Sequence, residues 1–305
     1  MGDYIRALIM AFMRHGYSIN PPFKAWIRSN VPIASGLGSS GTLLVALASA
    51  INAINGFNLD RRAIAEIAYE AEHDVMGIPC GRLDQYAAAF GDIVVIETKP
   101  PYDVEVLPRL NGVFLVVDTG IRHSTADIHP KRQQEIDEGL NKLLSMDISG
   151  GSLRKKLGGA HYWEVHWDEI GEDEISRFIE GLSDVPRRRI LYTLRANEST
   201  KIALKVIKGG EAVDIKDLMR TLNLSNAEVD SLISRYDWRE ALIGRVMTYQ
   251  HRLLSEYYDV SLPIIDELVN FLVNEGVYGG LNCLEPAWEA RSSRSSGMRL
   301  WPGRY

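Results

Sequence analysis

Cysteine is scarce in this 305-residue chain, with Cys80 and Cys283 the only two. That is too few for a disulfide framework, and a reducing cytoplasm is the expected setting. Long apolar runs are lacking as well. No stretch of about 18 apolar residues occurs, and the first helix-like segment is interrupted by Arg6 and Arg14, so neither a membrane span nor a signal peptide is expected. Basic charge is not in excess either: 34 Lys and Arg against 40 Asp and Glu leave a formal net charge of −6. This excludes a global basic field and makes nucleic acid an unexpected partner; an anionic ligand must be held by local groups. What is present, 46% hydrophobic and 24% charged residues, is the balance of a globular protein of one large or two ordinary domains.

Along the chain, Tyr4 to Met13 carries apolar residues at helical spacing, and FKAWIRS (residues 23–29) alternates as a half-buried strand does. A further strand runs into the glycine-rich loop. Ser40 to Ile54 is alanine-rich and helical, closed by Asn55-Gly56. Asn58-Leu59-Asp60 opens another helix that ends at Gly77. DIVVIET (residues 92–98) reads as a strand and NGVFLVVDTG (residues 111–120) as a stronger one. Beyond Arg132 the chain is mostly helical, with glycine breaks, up to IIDELVNFLVNEG.

The chemistry begins at Pro32 to Thr42, PIASGLGSSGT. Gly36-Leu37-Gly38-Ser39-Ser40-Gly41 fits G-x-G-x-x-G, so a dinucleotide fingerprint must be weighed. Its context is wrong: the acidic residue at the right distance, Asp60, opens a helix instead of ending a strand. Nor does a lysine follow the last glycine, as a P-loop requires. What remains is a loop whose glycines let backbone N–H groups approach an anion, feeding a helix whose positive end faces the same point. Ser39, Ser40 and Thr42 add hydroxyls for phosphate oxygens or a Mg²⁺ ion. A flexible turn capped by serine is the plainer alternative.

VPIASGLGSSGTLLVAL resembles the second signature of the GHMP kinases, the superfamily of galactokinase, homoserine kinase and mevalonate kinase. AEHDVMGIPCGRLDQYAAAFG resembles the galactokinase branch, where a glutamate-bearing helix runs into Gly-x-Pro-Cys-Gly and Asp-Gln-Tyr/Phe. VVDTGIRHSTADIHPKRQQEI and HRLLSEYYDVSLPIIDELV are similar to later galactokinase segments, so the resemblance runs from about Asp3 to Gly280. It implies an α+β, two-domain GHMP kinase fold: an N-terminal domain of the ribosomal-protein S5 type and a C-terminal antiparallel sheet covered by helices, ferredoxin-like. The expected bounds are 1–108, 109–280 and an aberrant tail 281–305.

The resemblance further implies ATP and Mg²⁺ as cofactors, with Pro32, Ser35, Gly36, Leu37, Gly38, Ser39, Ser40, Gly41 and Thr42 holding ATP and Ser40 with Glu72 holding the metal through hard oxygens. Asp84 is the expected base, with Gly81, Asp84 and Asp118 at the sugar and the basic Arg122 after them. Each has a plainer account. Asp84 is also a good helix cap, Glu72 one of three carboxylates on its helix, and Asp118 with Arg122 an ordinary surface pair. His73, His123, His129 and His251 lack metal-ligand spacing and read as solvated or capping residues.

Both ends depart from the family pattern. About thirty residues precede the loop, without the Gly-Arg-x-Asn-Leu-Ile-Gly-Glu-His segment of galactokinases, so an incomplete N-terminal domain is expected. After NEGVYGG the family pattern is Lys-Leu-Ser-Gly-Ala-Gly-x-Gly-Gly and an aliphatic strand, whereas the last fifteen residues here hold four Arg and four Ser. Read one base out of register, Asn282 to Ala290 can encode Leu-Ser-Gly-Ala-Gly-Leu-Gly-Gly, and Arg291 to Ser296 can encode Val-Ile-Ala-Leu-Val. A single-base frameshift from about Leu281 is therefore expected, with 281–305 poorly packed and the sheet short of an edge; a natural lineage-specific tail is the alternative.

The expected function is transfer of the ATP γ-phosphoryl group to a sugar hydroxyl, C1 of galactose first, with loss of turnover the expected consequence if the early galactokinase segment and the last glycine loop are truly missing. A heptose or other sugar-1-kinase is the alternative within the superfamily, and a non-catalytic sugar- and nucleotide-binding regulator the alternative outside it. A Rossmann oxidoreductase is a third.

Overall fold

The computed structural model describes residues 2–20, 22–31, 33, 36–78, 80–97, 100–117, 119, 121, 125–148, 151–209, 214–280 and 296–300. Helix α1 (Gly2–Arg14) buries Leu8 and Phe12 completely, each worth roughly 1.5–3 kcal/mol. They meet Leu44, Ala48 and Ile51 of α2 (Ser39–Asn55) and Ile64, Ile67 and Ala68 of α3 (Arg61–Glu70). Asp60 caps α3 by accepting from Ala63 N at 2.7 Å. The chain then widens into a π-helical turn, Ala71–Val75, before α4 (Leu83–Phe90).

β1 (Ile93–Glu97) comes next, pairs antiparallel with β2 (Val104–Leu107), and on its other edge pairs antiparallel with β3 (Ser296–Leu300). Val94 and Ile96 pack with Leu83, Tyr86 and Ala87 of α4. The alternate residues Ile93 and Val95 pack with α8 (Asp184–Lys208) and α11 (Trp238–Glu256) through Ile202, Val206, Leu242 and Val246. A strand buried on both faces reads as an unbroken apolar run, and IVVI is one.

The remaining described elements are helical. α5 (Thr125–Leu144), α6 (Gly151–Leu157) and α7 (Glu172–Ile179) form a second core with α8 and α11 around Trp167, Leu140 and Ile190. α9 (Ile215–Leu222), α10 (Asn226–Ile233) and α12 (Pro263–Asn274) complete the set. Among the described residues no helix is long and apolar enough to cross a membrane.

The α+β class holds, but three expectations about strands change. FKAWIRS and residues 111–117 carry no ladder among the described residues. A pleated segment needs a neighbour for its N–H and C=O groups, and here Trp26 is 90% and Val113 98% exposed. Conversely, Ser296–Leu300, inside the tail expected to leave the sheet short, pairs along the whole of β1. Ladder bonds come from the backbone, so a polar composition does not prevent edge pairing. Residues 281–295 and 301–305 lie outside the described set.

Two buried polar centres fix the helical half. Arg189, 1% exposed on α8, donates to Glu135 Oε2 and Asp259 Oδ2, both at 2.6 Å, and to the Tyr257 carbonyl. His251 on α11 is buried and paired with Asp266 Oδ1 at 3.0 Å, which corrects the expectation of a solvated or capping histidine. Burial holds its pKa below the ordinary value, against the opposing pull of Asp266.

Replacing Arg189 by Met removes the buried partner that Glu135 and Asp259 share and leaves them to Arg132 and Arg188; the expected loss is about 2–3 kcal/mol, measured by urea denaturation. For His251 the unfolded chain takes up the proton first, so its contribution is intact above about pH 6.5 and is lost as pH falls, with a slope of at most about 1.4 kcal/mol per pH unit. In His251→Gln that part of the pH dependence disappears from denaturation midpoints taken between about pH 7.5 and 5.

Candidate active site

Gly38 occupies the N-cap of α2 in the left-handed region, with φ of 62°, and no side chain caps this end. Thr42 N reaches back to Gly38 O at 2.9 Å, closing the first turn. The N–H groups ahead of it, at Ser39, Ser40 and Gly41, have no acceptor within the helix and face outward with the positive end of the dipole. Such an end favours an anion.

The start of α4 lies directly against this turn. A Cβ at Gly38 would stand 2.5 Å from Asp84 Oδ1; one at Gly41 would stand 2.8 Å from Asp84 Cβ and 3.3 Å from both Asp84 C and Gln85 N. The two glycines are therefore what lets the Asp84 carboxylate sit on the loop. Asp84 lies in the first turn of α4, a position that also answers the helix dipole.

Glu72 enters from the third side. It is 4% exposed, at the start of the π-helical turn, and it accepts from Gln85 Nε2 at 2.8 Å and from the Ser40 hydroxyl. The extra residue of a π-turn rotates the helix beyond it by a fraction of a turn, and such turns are frequent at functional sites. Burial raises the Glu72 pKa, the Ser40 and Gln85 hydrogen bonds oppose that, and the charge of Asp84 adds to it. Tyr4 of α1 is hydrogen-bonded to the same Ser40; burial, and then the charges of Glu72 and Cys80, raise its pKa.

The loop leading to α4 is clamped by Arg82, whose guanidinium lies between the Tyr69 and Tyr102 rings, 3.8 and 4.0 Å from their centroids, and bonds Glu66 at 2.9 Å. Gly81 stands between Arg82 and Cys80. Of the residues expected at the site, Gly36, Leu37, Gly38, Ser39, Ser40, Gly41 and Thr42 form the loop and first turn, and Ser40, Glu72 and Asp84 converge there. Pro32, Ser35, Asp118 and Arg122 lie outside the described residues, as does His123. The neighbours of Asp118, Val117 and Thr119, line an apolar groove of about 400 Å³ with Ile264, Leu268 and Phe271 of α12. His73 stacks on Tyr69 and bonds Asp74. Sequence reasoning missed Tyr4 and Gln85 as partners of Ser40 and Glu72; the Asp-Gln pair marks Gln85 only in hindsight, and nothing marks Tyr4.

Two observations bear on whether a phosphate ligand and a cation fit here. Thr42 Oγ1 and Gln85 Oε1 are buried with no hydrogen-bond partner among the described residues, next to the loop and the Glu72 carboxylate respectively. No group of three or more His, Cys, Asp or Glu residues suited to a metal exists among the described residues. A Mg²⁺ ion needs no such cage, since it is held by one or two protein oxygens, waters and substrate phosphates. Ser40 and Glu72 supply that donor set.

Residues 3–92 match the family described as GHMP kinases N terminal domain. These residues are thus similar to the N-terminal domain of the GHMP kinases. Beyond that domain the chain is similar to galactokinases: that of Thermotoga neapolitana is 29% identical over 283 residues, 91% of this chain and 66% of that protein. The galactokinase of Thermosipho africanus is 33% identical over 67% of this chain and 60% of its own length. A crystal structure of Lactococcus lactis galactokinase complexed with galactose shares the fold, with a TM-score of 0.52 and 19% identity, over 88% of this chain and 60% of that one. The chain thus spans about two thirds or less of the length of these relatives.

Gly41→Ala tests the packing that builds the site. The added methyl meets backbone and Cβ atoms that have no room to swing away. Thermal denaturation is expected to show a loss of about 1–3 kcal/mol.

Proposed function

We propose that this chain belongs to an ATP-dependent sugar kinase that transfers the γ-phosphoryl group to a sugar hydroxyl, with the C1 hydroxyl of galactose as the first candidate acceptor. The observation that carries the reading is the seat of Asp84 on Gly38 and Gly41: a carboxylate held against an anion-binding helix start. Phosphoryl transfer needs this pairing of a cradle for phosphates with a group that orients or deprotonates the attacking hydroxyl. In this reading the N–H groups of Ser39, Ser40 and Gly41 hold phosphate oxygens, and Thr42 Oγ1 gives its unused hydroxyl to the same ligand.

Ser40 and Glu72 are the proposed Mg²⁺ ligands; the ion, when bound, supplies charge compensation on the phosphates. Asp84 is the proposed base, and Gly81 keeps the backbone before α4 close to the acceptor. Asp118 is retained as a proposed sugar contact. The proposed division of the chain places the ATP domain in 1–108, the second domain in 109–280 and the tail in 281–305. The similarity to galactokinases supports the sugar class, and the low cysteine content suits a cytoplasmic setting.

The test couples ADP release to a panel of hexoses and heptoses with ATP and Mg²⁺, beside equilibrium binding of ATP. Galactose-dependent ADP release is expected, and Asp84→Asn is expected to lower it by about 10²–10⁴-fold while ATP still binds. ATP binding with no sugar-dependent turnover would instead mark a binding protein.

A further inference from the structure

Gln85 is buried more deeply than any other polar residue around the loop, at 1% exposure, and its two amide atoms have opposite fates. Nε2 donates to Glu72 Oε2 at 2.8 Å and lies 3.9 Å from Cys80 Sγ. Oε1 has no hydrogen-bond partner among the described residues. A buried acceptor left unpaired is disfavoured by roughly 1–3 kcal/mol. A core position that needed only volume would be filled more stably by Leu or Met. The amide therefore has a task that outweighs the loss, and the stronger of its two bonds, the one to Glu72, names that task.

Glu72 has two oxygens and few partners. Ser40 donates to it from the glycine-loop side and Gln85 from the α4 side. Ser40 is itself shared with Tyr4, so its hydroxyl is not dedicated to Glu72. The π-helical turn brings Glu72 inward but does not by itself set the direction of its carboxylate. Gln85 is fixed: it is one residue beyond Asp84, and its backbone N abuts Gly41. The bond at 2.8 Å thus ties the Glu72 carboxylate to the same helix start that carries Asp84.

We propose that Gln85 is a positioning residue for the cation of the nucleotide complex: its amide N–H fixes one Glu72 oxygen and leaves the other turned with Ser40 toward the phosphates. The proposal rests on the reading of Ser40 and Glu72 as cation ligands. Partners of this kind orient a ligating carboxylate without touching the metal, and their loss weakens metal affinity by about 10–100-fold.

The experiment titrates Mn²⁺ into the full chain with ATP and tracks the loss of free-ion signal by electron paramagnetic resonance; binding of ATP without metal is measured separately. Gln85→Met keeps the volume and removes the donor. The expected result is Mn²⁺ affinity reduced about 10–100-fold, with metal-free ATP binding unchanged and a melting temperature no lower than the parent. Gln85→Glu, which keeps the shape and replaces the donor by a charge, serves if the Met variant fails to fold: weaker Mn²⁺ binding supports the positioning role, and tighter binding, with the new carboxylate on the metal itself, overturns it. Unchanged Mn²⁺ affinity in a folded Gln85→Met or Gln85→Glu protein overturns the positioning role while leaving the kinase reading intact. Failure of the parent chain to bind Mn²⁺ with ATP overturns the cation-site reading and this proposal with it.

Discussion

The distance between α2 and α4 is the constraint on which the rest of the site depends. Gly38 and Gly41 are the points at which the two helix starts touch, and the atoms they touch belong to Asp84 and to the first peptide beyond it. Any side chain at either glycine would push α4 away and take with it Asp84, Gln85 and, through Gln85, the orientation of Glu72. The glycines thus do two things at once. They open the loop to an anion, and they let a second helix carry its acid into the same space.

That closeness has an electrostatic consequence. Two carboxylates share a small space, and at Glu72 burial, with the charge of Asp84 adding to it, makes ionisation harder. The protein answers with dipoles instead of whole charges: the open N–H groups of α2, the Ser40 hydroxyl and the Gln85 amide. Arg82, on the approach to α4, is engaged by Glu66 and two tyrosine rings. Such a site, locally negative yet lined with N–H donors, is what the proposed nucleotide–cation complex requires, more than a bare anion or a bare metal does.

Much of this was legible in the sequence because it is local. Periodicity placed α1 and α2 within a residue or two, Asp60 announced the start of α3, and the glycine-serine run marked the loop. The π-helical turn left no trace, since its residues, Ala-Glu-His-Asp-Val, continue a helical pattern without a break. Strand assignment failed where it depended on partners. Residues 111–117 have the composition of a strand and no ladder, while Ser296–Leu300 has little of that composition and a full one, because pairing is decided by what lies alongside. Tyr4 and Gln85 were missed for the same reason: hydrogen bonds across 13 or more positions are tertiary facts.

β1 holds a further consequence, one of folding order. Its pairing with β2 closes a short connection, Ile93 opposite Leu107, whereas its pairing with β3 sets Ile93 opposite Leu300. The second ladder has to enclose roughly two hundred residues of chain, and the entropy of that closure must be met before any of its bonds form. The hairpin can therefore organise early, with α4 on one face, while one edge of β1 waits until the helices α5 to α12 are in place. During synthesis the central strand of the sheet spends most of its time with an open edge, the state in which a β-rich segment is most exposed to pairing with the wrong chain.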